Sequence, residues 1–139
     1  MRTQALLLPF LAVSILILSS CAAVDLVPLR SDGSAHPDNE PVAYCKFGGA
    51  GLIVTIKNQG NDNAPSSVTS VIFHIRGGGD VVRTINTPPL AAGASYSRDV
   101  PMPIGCSAPD CPFNIVADSS SVVFESNENN NNVMGLCTG

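Results

Sequence analysis

The feature that most constrains this chain is its closing stretch, Phe113 to Leu136, reading FNIVADSSSVVFESNENNNNVMGL. Phe113, Ile115 and Ala117 alternate with Asn114, Val116 and Asp118, the two-residue period of a strand with one face on a core. A polar segment rich in Asn, Ser and Glu follows, and a shorter apolar run from Val133 returns beside it. Such a pair reads as the closing element of a small all-β domain whose other strands lie upstream.

Those strands are legible in order. Val24 to Leu29 reads as a first strand, with Pro28 suited to a sheet edge. Arg30 to Pro41 is a loop by composition. Val42 to Phe47 leads through Gly48 and Gly49 into a central strand, Gly51 to Asn58, in which Leu52, Val54 and Ile56 share a face. Val68 to Arg76 is the next strand, with Val71, Phe73 and Ile75 on one side and Ile72, His74 and Arg76 on the other. Gly77 to Asp80 is a turn, Val81 to Ile85 a strand, Thr87 to Ser95 a bend, and Tyr96 to Val100 a strand. The Pro-rich loop Pro101 to Pro112 precedes the closing pair. About seven short strands between turn signals, with no helical period after residue 20, predict a β-sandwich.

Three stretches carry a family resemblance. IVTIKNQGN (Ile53 to Asn61), PLAAGAS (Pro89 to Ser95) and VVFESNENNNNV (Val122 to Val133) resemble CARDB, the cell-adhesion-related domain found in bacteria. The resemblance spans roughly Asp25 to the C-terminus. It implies an immunoglobulin-like sandwich and a role in adhesion or protein interaction. The cysteine set and the long loop before Val42 depart from the family's usual pattern.

At the N-terminus, Met1-Arg2 is followed by the apolar run Ala5 to Leu18. Its length fits a signal-peptide core and falls short of the roughly 20 residues of a membrane-spanning helix. Leu18-Ser19-Ser20-Cys21 resembles a bacterial lipobox, which implies a diacylglyceryl thioether on Cys21 and cleavage just before it. The expected division is a signal peptide over residues 1–20 and a single domain over 21–139. Ordinary cleavage after Ala23 and an uncleaved anchor are the alternatives. With lipidation, the expected location is the cell envelope, and Ala22 in place of Asp favours the outer membrane by resemblance to enteric lipoproteins; simple secretion is the alternative.

Five cysteines make an odd set for an exported protein, and assigning Cys21 to the lipid leaves four. Cys106 and Cys111 sit in one loop, separated by residues that turn the chain back. Cys45 precedes the central strand and Cys137 lies in the last. The expected bridges are therefore Cys45–Cys137 and Cys106–Cys111. A four-thiolate zinc site is the rival, disfavoured by an exported context and the absence of a C-x-x-C pair.

The acidic and amide cluster offers the sharpest site candidate. Asp118, Glu125, Asn127 and Glu128 present hard oxygen ligands of the kind Ca²⁺ takes, though EF-hand spacing is absent. The alternative is structural: Asn and Ser bonding their own backbone through a turn. His36 and His74 stand in no catalytic pattern. Gly77-Gly78-Gly79 lacks the Lys-Ser/Thr of a phosphate loop. The chain carries 7 basic and 11 acidic residues, a formal net charge of -4. Its cations are scattered singly and it has no Trp, so nucleic acid is not an expected partner. No cofactor is expected. These readings converge on a non-enzymatic envelope module that binds a protein, with polysaccharide binding or a structural role as alternatives.

Overall fold

A computed structural model describes Cys21 and residues 23–35, 40–106 and 111–138. The signal-peptide and His36 readings lie outside these residues. Seven strands form: β1 (Leu26–Pro28), β2 (Leu52–Asn58), β3 (Ser67–Ile75), β4 (Gly79–Thr87), β5 (Ser95–Val100), β6 (Cys111–Val116) and β7 (Asn132–Cys137). They make two antiparallel sheets, ordered β1-β2-β5 and β4-β3-β6-β7. The chain is an all-β, immunoglobulin-like sandwich in which β4 stays with β3 and does not cross to β5.

The alternation predicted for β2, β3 and β6 is the alternation of their burial. Leu52, Val54 and Ile56 from one sheet meet Val71, Phe73, Phe113 and Ile115 from the other. Phe73 and Phe113 are cross-strand partners with ring centroids 6.1 Å apart, tilted by 49°. Such aromatic pairs add to the apolar burial that holds the layers together. Gly135, opposite Phe113 on β7, makes room for that ring, because a Cβ there would overlap it.

Two local readings are corrected, and a third stretch takes a definite form. β4 runs from Gly79 to Thr87, two residues longer at each end than Val81 to Ile85, because Ile75 pairs with Gly79 and Ser67 with Thr87. The turn is thus only Arg76 to Gly78, helped by positive φ at Gly77 and Gly79. The run that leads into the central strand begins with a 3-10 turn, Pro41–Tyr44, with proline at its start, where the missing N–H costs nothing. Asp118 does not continue the outward face of β6. The strand ends at Val116, Asp118 adopts φ 41°, and its side chain is buried.

Both disulfides pair as expected. Cys45 is bonded to Cys137 with a Cα–Cα separation of 5.2 Å, and Cys106 to Cys111 with 5.1 Å. The first ties β7, an edge strand, to the segment just after the 3-10 turn, so it closes one side of the sandwich.

Candidate functional site

Strand direction places three loops at one end of the domain: residues 59–66, 88–94 and 117–131. The segment before β1 joins them there, through a parallel bridge between Val24 and Glu125. The acidic and amide cluster lies in the third loop, and its carboxylate oxygens accept largely from the chain's own N–H groups.

Asp118 closes the start of that loop. Its carboxylate accepts from the Val122 N–H at 3.3 Å and the Val123 N–H at 2.8 Å. Glu125 is buried, at 5% exposure. Its Oε2 accepts the Leu26 N–H at the start of β1, and its Oε1 accepts from Asn131 Nδ2 at 2.9 Å. Burial pushes the Glu125 carboxyl up to about 7, against those two hydrogen bonds and with help from the Glu128 and Asp118 charges. Glu128 accepts the Glu125 N–H at 3.1 Å. Asn127 accepts the Asn129 N–H at 3.1 Å, a turn made by an Asn on its own backbone. Asn130 donates to Asp25 at 2.9 Å.

The cluster therefore staples the N-terminal segment to the β6–β7 loop. Among the described residues, no group of three or more His, Cys, Asp or Glu side chains is placed to hold a metal ion. Two buried acceptors, Asn130 Oδ1 and Asn131 Oδ1, have no partner. Cys21 is exposed and outside both disulfides.

Asn58 belongs to the same end, and sequence reading passed over it. Fully buried, it donates Nδ2 to the carbonyls of Asp62 at 2.7 Å and Leu90 at 3.0 Å, and accepts the Gly60 N–H at 3.1 Å. Its backbone bonds Ala94 and Gly93. Its only sequence signal is a polar residue on the buried face of an alternating strand.

His74 faces out from β3 between Asp80 and Asn114, each 2.7 Å away. The Asn114 contact, then Asp80, holds its imidazole above the usual histidine range. No nucleophile is among its hydrogen-bond partners.

Two clefts open on the sides. One, of about 200 Å³, lies on the β1 and β7 side against Val27, Tyr44, Asn127 and Val133. The other, of about 390 Å³, separates β4 from β5 and is lined by Arg83–Asn86, Tyr96 and Arg98–Pro101. No helix among the described residues is long and apolar enough to cross a membrane.

The family model for CARDB matches residues 50–134. The chain is also similar to the crystal structure of a CARDB domain from Pyrococcus furiosus, determined in complex with di-metal ions. That likeness is at 18% identity and a TM-score of 0.46, over 84% of this chain and 94% of that one. No curated protein matches the chain.

Proposed function

This chain belongs to the CARDB family, and on that footing we propose that it is a non-enzymatic, lipid-anchored envelope module that binds an extended protein segment. Export with acylation at Cys21 supplies the anchor. The observation that carries the binding reading is the open β4–β5 side. β4 and β5 are edge strands of different sheets and face each other across the 390 Å³ cleft. β4 is nine residues long, and most of its residues are exposed. A long unpaired edge is a template for a further strand, which gains main-chain hydrogen bonds from the row of free groups. Arg83 and Arg98 stand against Asp99 in that cleft, a balance that favours a segment bearing an acidic side chain.

The test is cross-linking in intact cells of the native host, comparing wild type with Cys21→Ala and placing a photoreactive residue at Thr84 or, as control, at Thr55. One dominant protein adduct from position 84, lost in Cys21→Ala, is the expected result. Equal adducts from both positions would sink the β4 reading. A protein held at the envelope that captures no protein would shift the binding role to polysaccharide.

A further inference from the structure

The side chains of Val122 and Phe124 take no part in the network just described, yet they are among the most exposed large apolar side chains, at 66% and 94%. Between and after them, Val123 and Glu125 point inward and are buried. Val122 and Phe124, on either side of buried Val123, therefore both lie on the outer surface of this loop. They are held there firmly: Asp118 pins the Val122 and Val123 N–H groups, and Glu125 bridges Val24.

The position of that loop gives the pair its partner. Val24 is three residues from Cys21. Three extended residues span about 10 Å, and bridged strands lie about 5 Å apart. Cys21 and Phe124 thus leave the same end of the sandwich, a short distance from each other. The three loops of that end, residues 59–66, 88–94 and 117–131, contain no Lys or Arg, and their acidic residues are Asp62, Asp118, Glu128 and the buried Glu125. Asp118 is buried, so the surface offered is apolar and weakly acidic.

We infer that this end rests on the bilayer, with Phe124 and Val122 inserted at the boundary between headgroups and acyl chains. The inference rests on the anchored reading above and adds the orientation of the domain. Apolar side chains at such a surface sink about 5–10 Å into the boundary. The lack of cations predicts no preference for anionic lipid. In this pose the β4–β5 cleft lies along the flank of the domain, away from the lipid.

The chain has no Trp, so one substitution makes a unique reporter. Full-length Phe124→Trp and Val122→Trp variants are produced in a bacterial host, purified and reconstituted in phosphatidylcholine vesicles carrying brominated acyl chains. Phe47→Trp, in the β1–β2 connection at the opposite end, is the control. Both sites of insertion are exposed, so folding is not at stake. The expected result is loss of most emission from the Phe124→Trp and Val122→Trp proteins, with the Phe47→Trp emission retained. Adding phosphatidylglycerol leaves this unchanged. Flotation with an acyl mass on Cys21 but no quenching at position 124 or 122 overturns this inference alone, because the anchor stands and the domain is held off. Equal quenching at all three positions also overturns it, because no end is preferred. Absence of both flotation and acyl mass overturns the anchor and the orientation together.

Discussion

Glu125 makes the fold's stability depend on pH in a way that one substitution removes. Its carboxyl lies between β1 and the β6–β7 loop, raised from an ordinary 4.5 to about 7 chiefly by burial. Below pH 4.5 it is protonated in the folded and unfolded chains alike, and its favourable contribution is fully present. Between 4.5 and 7 the unfolded chain releases the proton that the folded chain keeps, so stability falls as pH rises, and above 7 the whole amount is lost. The interval is worth at most about 3 kcal/mol. Glu125→Gln stays neutral throughout and keeps an oxygen for the Leu26 N–H. Its amide group then faces Asn131, whose Oδ1 otherwise lacks a partner and can accept once the Asn131 amide turns over.

Urea unfolding of both proteins at pH 5 and pH 8 measures the effect. The variant exceeds wild type by less than about 1 kcal/mol at pH 5 and by up to about 3 kcal/mol at pH 8. His74, also raised, loses its contribution over rising pH in the same sense, but equally in both proteins, so it cancels from the comparison. A difference between variant and wild type that is the same at both pH values would refute the account of a buried, strained carboxyl.

Three further substitutions probe the rest of the frame. Asn58→Ala strands the buried Leu90 carbonyl and the part-buried Asp62 carbonyl, unties two loops, and costs about 2–4 kcal/mol by urea unfolding, with the loss insensitive to pH. Removing the Cys45–Cys137 bridge, which spans 92 residues, costs up to about 4.5 kcal/mol in the loop-entropy model; removing Cys106–Cys111, which spans 5, costs about 2, so melts of the two double-serine variants rank in that order. Gly135→Ala drives a methyl into the Phe113 ring and lowers the melting midpoint, with recovery in the double variant that also carries Phe113→Leu.

What the sequence made legible follows from how local each determinant is. The core faces of β2, β3 and β6 are written in a two-residue period, and no distant contact was needed to read them. The ends of β4 are hidden because Gly79, Asp80 and Asn86 are residues of turn character and Thr87 runs into Pro88; they are held in the strand by pairing with β3. Asp118 was assigned to the outer face because the alternation continues through it. Its left-handed backbone, which breaks that alternation, leaves no mark in the residue pattern. Asn58 was missed for a different reason. Its value lies in three segments meeting at one side chain, and no window of sequence contains all three.

The same placement explains what the family signature describes. IVTIKNQGN supplies Asn58, PLAAGAS supplies the Leu90 carbonyl and the turn at Gly93, and VVFESNENNNNV supplies Glu125 and Asn131. All three stretches meet at one end and spend their polar groups on one another and on the segment leading to Cys21. They build the end that joins the layers, which is a folding task. The β4–β5 side takes its lining from other residues, Arg83–Asn86 and Arg98–Pro101 among them, where strand pattern is loose and exposure high. The residues that build the end are separate from those that line the cleft, so these stretches speak to the fold and not to a partner. On the proposed reading, variants of Arg83 and Arg98 lose the bound segment while leaving the stapled end and the melting midpoint untouched.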